Sequence, residues 1–285
     1  MVEESQTEQW VITVSSKHKW LDLHIREVWE YRDLIFLFVR RNFAAAYKQT
    51  ILGPFWHFFQ ALASSAVFTV IFSGFAGLPT DELPPFLFYL SGNLVWSFFS
   101  SCLGDNSSIF TANAGLFGKV YFPRLVMPFT AVITAFFHFL IRLALFIAVI
   151  IVYMASGVPI FLTWWIAIVP LLLIITALMG MALGFFSSAL TAKYRDLRML
   201  IGYGMSLLLY STPVIYPVSM VPEKYINLYF LNPVAPIVEA FRYAFLGAGT
   251  LDISRLGYSL GFTLVTLLVG LILFNKVERN FMDTV

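Results

Sequence analysis

Polar residues are scarce in this chain, so each cluster of them can be tested for chemistry. The hexapeptide GLFGKV at 115–120 invites comparison with a phosphate-binding loop. Such a loop needs G-x-x-x-x-G-K and then Ser or Thr, because backbone N–H groups cradle the phosphates and the hydroxyl holds magnesium. Asn113 stands where the first glycine belongs, and Val120 follows Lys119. No nucleotide site is read there, so any ATP and magnesium belong to another chain. His18, His24, His57 and His138 match no metal-protease spacing. Cys102 is the single cysteine and reads as a packing residue. The sequon Asn106-Ser107-Ser108 is discounted, because it falls at the inner end of an apolar run.

Charges inside apolar runs are sharper signals. Arg142 interrupts a long hydrocarbon stretch, at a cost of about 2.5–3.5 kcal/mol on insertion scales. It is expected to face a protein partner, a polar cavity or an anionic substrate. Glu239 and Arg242 are three residues apart and can pair on one face of a short helix, or serve an outer gate. Together with Asp105 these residues do not make a catalytic set. The decapeptide TAKYRDLRML at 191–200 places Lys193, Arg195, Asp196 and Arg198 between two apolar runs.

The elements that must hold these residues follow from composition. Of 285 residues, 59% are hydrophobic and 12% charged, against about a quarter charged in a soluble domain. Several stretches of about 20 residues carry almost no charge, the signature of membrane-spanning helices. Six are expected, over 54–76, 86–110, 125–154, 161–189, 199–217 and 256–275. Pro54 suits the first turn of helix one, and Pro84-Pro85 marks the turn before helix two.

Residues 1–50 are polar to amphipathic and form no signal peptide. Within them, 20–48 reads as an amphipathic helix along the membrane interface, with Trp20, Trp29 and Tyr31 at headgroup depth. Packing on protein is the competing reading. Residues 218–255 are apolar but broken by Pro233, Pro236, Gly247 and Gly249, which fits short half-helices dipping in from outside. A seventh span would put the tail on the opposite side. The division is therefore a cytoplasmic region 1–50, a membrane domain 51–275 and a cytoplasmic tail 276–285.

Most of the 18 Lys and Arg residues lie on one side of this scheme. Lys17, Lys19, Arg26, Arg32, Arg40, Arg41 and Lys48 precede helix one, and Lys119, Arg124, Lys193, Arg195, Arg198, Lys276 and Arg279 share its side. The positive-inside rule places both termini in the cytoplasm. The 191–200 segment becomes a cytoplasmic elbow, where Asp196 can cap the following helix. Aromatics crowd helices one and two, with Phe55, Trp56, Phe58 and Phe59, then Tyr89, Trp96, Phe98 and Phe99. Most suit the interfacial belt or lipid, and some can stack on sugar faces.

Six blocks, in order, carry a resemblance. They are RRNFAAAYKQTILGPFWHFF (40–59), YLSGNLVWSFF (89–99), GKVYFPRLVMP (118–128), YRDLR (194–198), STPVIYP (211–217) and NPVAPIVEAFRYAFLG (232–247). Together they resemble the membrane subunit of ABC-2 type polysaccharide exporters, the O-antigen, teichoic acid and capsule transporters. The resemblance implies an all-α integral membrane protein of six transmembrane helices, an N-terminal interface helix at about 20–45, and short re-entrant helices between helices five and six. It implies a second copy of the chain, two cytoplasmic ABC ATPase subunits supplying ATP and magnesium, and a lipid-linked glycan as substrate. It implies no cofactor in this chain, no nucleic acid, and a place in the cell inner membrane among its lipids.

Residue by residue, the resemblance implies coupling to the ATPase through Asn113, Lys119, Phe122 and Arg124, with Tyr194, Arg195 and Asp196 as a second contact. Arg40 and Arg41 become contacts for a lipid pyrophosphate, with topology and lipid headgroups as their plainer use. Helices one and five become channel walls, and Trp56, Phe59, Tyr89, Trp96 and Tyr210 a sugar path. The competing functions are a drug or small-lipid permease on the same scaffold, a membrane-embedded lipid-linked sugar transferase, and a membrane scaffold without a motor.

Overall fold

A computed structural model describes residues 25–120, 122–194 and 196–281. Arg195, Trp20 and the charged residues Lys17 and Lys19 lie outside the described residues, as does the tail beyond 281. The interface segment forms two helices, α1 (Ile25–Glu30) and α2 (Arg32–Tyr47), broken at Tyr31. α2 buries Ile35, Phe38 and Val39 and leaves Phe36, Leu37, Arg40 and Arg41 exposed. One stripe therefore docks on protein and the other is left for an interface.

α3 (Phe55–Phe68) starts behind Pro54 and continues as a π-helical segment, Thr69–Phe75. The span expected over 54–76 is formed as Phe55–Phe75, with its last third π-helical. α4 (Pro85–Ser107) carries Pro85 at its first turn and is the most enclosed span. α5 (Ile109–Phe117) follows it, and α6 (Val126–Ala155) comes next. A 3-10 turn, Trp164–Ile168, leads into α7 (Val169–Lys193), and α8 is Leu197–Tyr210. α9 (Glu223–Tyr229), α10 (Ala235–Leu246) and α11 (Ile253–Phe281) complete the described chain.

Among the described residues, five helices are long and apolar enough to cross a membrane, ending with Ile253–Val277. The remaining expected span, 199–217, is helical only over the 14 residues of α8. At 1.5 Å per residue that is about 21 Å, short of a hydrocarbon core of about 30 Å. Pro213 and Pro217 explain the stop: each lacks a backbone N–H and disfavours helix in the residue before it. Residues 212–215 are nevertheless buried. Asn232 Nδ2 donates to Ser211 O at 3.0 Å and to Thr212 Oγ1 at 2.8 Å, and Arg242 reaches Pro213 O. Irregular backbone away from water needs such partners.

α4 is central, flanked by α3, α6 and α7, and α7 also packs along α11. Glycine allows these approaches. A Cβ on Gly180 would meet Cys102 Cβ at 2.6 Å, one on Gly184 would strike Asn106, and one on Gly270 would meet Ala182 O at 2.8 Å. Small residues four apart let helix backbones touch where hydrophobicity cannot drive association.

The core has two large clusters, and a small third one gathers Val218, Phe230 and Ala235. One cluster joins α4, α6, α7 and α10 through residues such as Phe88, Phe99, Phe146 and Phe241. The other joins α2, α5, α7, α11 and the start of α6 through Phe38, Phe110, Phe117, Phe122, Phe185 and Phe274. α3 leaves Trp56, Phe59, Val67 and Phe75 exposed, and α8 buries no residue at all.

Candidate functional site

A groove of about 400 Å³ opens between α3, α4 and α6. Trp56, Phe59, Gln60, Ala63 and Ser64 line it from α3, at the spacing of one helical face. Leu90, Asn93, Leu94 and Ser97 line it from α4 with the same periodicity, and Arg142 enters from α6. Most of the wall is apolar, but amide, hydroxyl and guanidinium groups converge on it. Asn93 Nδ2 donates to Ser64 Oγ at 2.5 Å and ties the two helices.

Arg142 belongs to a second cluster behind the groove. Its Nη2 lies 3.3 Å from His57 Nδ1. A guanidinium only donates, so His57 Nδ1 accepts and holds its proton on Nε2. The His57 and His138 rings stack with centroids 4.3 Å apart, Tyr47 meets both edge-on, and Phe43 stacks on His138. Burial pushes the Tyr47 phenol up, while the nearby guanidinium pulls it back. Tyr47 Oη and His138 Nε2 are buried and make no hydrogen bond among the described residues.

A second arginine, the buried Arg242, is satisfied. Arg242 donates to Glu239 Oε1 at 2.7 Å, to Pro213 O at 2.6 Å and to Ser91 Oγ at 3.4 Å, and lies 3.8 Å over the Phe88 ring. Glu239 Oε2 accepts from Thr250 N. The expected pair on α10 is formed, but it is wholly buried. It fastens α10 to the start of α4 and to the segment after α8. Asp81 accepts from Ser219 in the same region, and Thr163 donates to carbonyls of α10.

The remaining expected residues fall in three places. Trp56, Phe59 and Tyr210 are exposed, whereas Tyr89 and Trp96 face the core. Tyr89 packs on Phe68, Phe72 and Phe88, and Trp96 on Phe99. Arg40 is exposed on α2, where Arg41 donates to Asn42 Oδ1 and lies over Phe38.

Asn113 donates to Ile109 O within α5, Lys119 is exposed, and Arg124 lies over Phe117. Phe122 is buried between Phe117 and Phe38. Tyr194 is exposed. Asp196 takes the cap position of α8, but its side chain makes no capping hydrogen bond; its backbone is helical there, not extended. That expectation is corrected. The elbow is tied to α5 instead, by Arg198 Nη2 donating to Thr111 Oγ1 at 2.6 Å, while Thr191 Oγ1 near the end of α7 donates to Ser107 O at the end of α4.

Sequence reasoning missed Tyr47, Gln60, Ser64, Asn93 and Ser97, and did not join His57 to His138. One signal was available. His138 and Arg142 are four residues apart, so they share a helix face inside an apolar run.

Comparison with known proteins agrees with this architecture. A family model described as ABC-2 type transporter matches residues 33–246. An O-antigen export system permease protein RfbA of Klebsiella pneumoniae is 29% identical over 254 residues, which cover 88% of this chain and 94% of that protein. The protein of that name in Myxococcus xanthus is 26% identical, over 92% of this chain and 98% of its own. The polysialic acid transport protein KpsM of Escherichia coli is 24% identical, over 82% and 89%.

Proposed function

The chain belongs to the ABC-2 type transporter family, and on that premise we propose that it is the membrane subunit of an exporter for a lipid-linked polysaccharide. The observation that carries this reading is the set of relatives matched along nearly their whole length. Their names specify O-antigen and polysialic acid, two polysaccharides. Family membership sets the transferase and scaffold readings aside.

In this reading two copies meet along α3 and α8, whose large apolar side chains are left exposed by the single chain. α8 crosses as a short sixth helix, completed by the segment 211–217, which is buried over 212–215. α9 and α10 dip in from outside. The Arg242 contacts support this, since they join α10 to the start of α4 and the end of α8. Both termini are then cytoplasmic, the membrane is the inner one, and the division at 50 and 275 separates cytoplasmic from membrane regions.

Two ATPase subunits, holding ATP and magnesium, dock on α5, the 118–124 segment and the elbow after α7. Phe122 anchors that segment under α2, so a push on it displaces the interface helix and α6 together. Arg40 and Arg41 draw the anionic lipid head to the inner surface. Trp56, Phe59 and Tyr210 offer exposed rings to the sugar chain.

The test is reconstitution with the partner ATPase. A stable complex of two chains and two ATPase subunits should hydrolyse ATP at a rate that responds to a pyrophosphate-linked glycan. Response only to small amphiphiles would favour the drug or small-lipid permease, a reading that the groove's apolar walls keep alive. Failure to bind any ATPase would sink the proposal.

A further inference from the structure

Among the described residues two arginines, Arg142 and Arg242, sit in apolar surroundings, and only one is used up. Arg242 has a carboxylate, a carbonyl and an aromatic face. Arg142 has one hydrogen bond at 3.3 Å to a neutral ring and, among the described residues, no carboxylate partner. An unpaired guanidinium is costly to hold in an apolar setting. Beside it lie the two orphaned polar atoms, Tyr47 Oη and His138 Nε2. Buried groups without partners are rare and ask for an explanation. A structural pin between α3 and α6 does not supply one, because it would leave most of the arginine's donors unspent.

The position supplies one. Arg142 forms one wall of the groove, and Gln60, Ser64, Asn93 and Ser97 follow along it beside Trp56 and Phe59. A guanidinium fork matches the oxygens of a phosphoryl group. Amides, hydroxyls and flat rings match sugar hydroxyls and sugar faces. We propose that this groove binds the phosphoryl–sugar junction of a lipid-linked glycan, with the phosphoryl group on Arg142 and the first sugars along Gln60 and Trp56. The assignment deepens the export reading above and rests on it for the identity of the glycan. It separates two tasks: Arg40 and Arg41 attract the anion at the surface, and Arg142 holds it within the chain.

Binding tests this without transport. The full chain in phosphatidylcholine nanodiscs is titrated with a fluorescent polyprenyl pyrophosphate, with and without an attached disaccharide. Arg142→Gln should weaken both probes at least tenfold, and Arg142→Lys, which keeps the charge but loses the fork, several-fold. Gln60→Ala, at an exposed position, should weaken only the glycosylated probe.

Unchanged affinity in a folded Arg142→Gln protein would overturn the proposal. Should that variant not fold, unchanged affinity in Arg142→Lys would do so. Equal displacement of the probe by phosphatidylglycerol would reveal a general anionic-lipid site and overturn the substrate assignment. Inorganic pyrophosphate competing as well as the lipid probe would count against the lipid-linked source. Intact binding with no glycan-dependent ATP hydrolysis would instead count against the export reading, so the two failures are distinguishable.

Discussion

Arg142 and Arg242 show how neighbours decide what one residue type does. Arg242 is a fastener. Its guanidinium is wholly buried, and its Glu239 partner also receives the Thr250 amide. Removing one charge of such a pair leaves the other uncompensated, at a cost of about 3–5 kcal/mol. Glu239→Gln should therefore lower the melting temperature sharply in detergent micelles. Replacing both members with well-packed apolar residues, as in Glu239→Leu with Arg242→Met, should recover much of the loss, because the buried charge goes too. A melting curve for Glu239→Gln that overlays the wild type would remove the fastener role. Gly249 belongs to the same unit: its φ is +96°, and a Cβ there would meet Glu239 Oε2 at 2.7 Å.

Helices differ in how much their neighbours constrain them. At the crossing of α4 and α7, Gly180 and Gly184 admit Cys102 and Asn106. Gly180→Val should cost about 1–3 kcal/mol or more through overpacking, read as a lost monodisperse peak on fluorescence-detected size exclusion. α8 is the contrast. A Cβ on Gly204 meets nothing within 4 Å. Gly204→Ala should fold normally and gain up to about 1 kcal/mol of helix propensity. A severe folding defect in Gly204→Ala would show that α8 is closely covered even before assembly. The π-helical end of α3 lies between these extremes, exposed on much of its surface and of a kind found often at functional positions.

The two larger core clusters of the molecule do different work. One holds the spans and α10 together. The other gathers α2, α5 and the start of α6 around Phe122 and Phe274, and is where a motor's push would enter. Phe122→Ala should leave the ATPase complex intact but reduce the response of hydrolysis to glycan. A full response in that variant would move the coupling elsewhere, to the elbow at Tyr194 and Asp196. The exposed face of α8 makes a separate prediction. Leu207 is 70% exposed in the single chain, so Leu207→Trp meets little within one copy but adds bulk between two. Native mass spectrometry should show a shift from dimer to monomer, and an unchanged dimer would put the contact on another face.

Much of this was legible in the residues themselves. Hydropathy located five of the spans to within a few residues, because a 20-residue apolar run has few alternatives to a membrane helix. The i, i+3 spacing announced the Glu239–Arg242 pair. Prolines at 213 and 217 carried the news that α8 would stop early, but the apolar run around them masked it. Local pattern could not tell that Tyr89 and Trp96 turn to the core while Trp56 and Phe59 stay exposed, since all four are aromatics in apolar helices. Nor could it join His57 to His138 and Arg142, or bring Gln60 opposite Asn93. Those meetings depend on which helix faces touch, and helix packing is set by long-range shape, above all by glycines that let α4 and α7 close. Element identity is written in short-range periodicity. The groove exists only where three separately encoded faces converge.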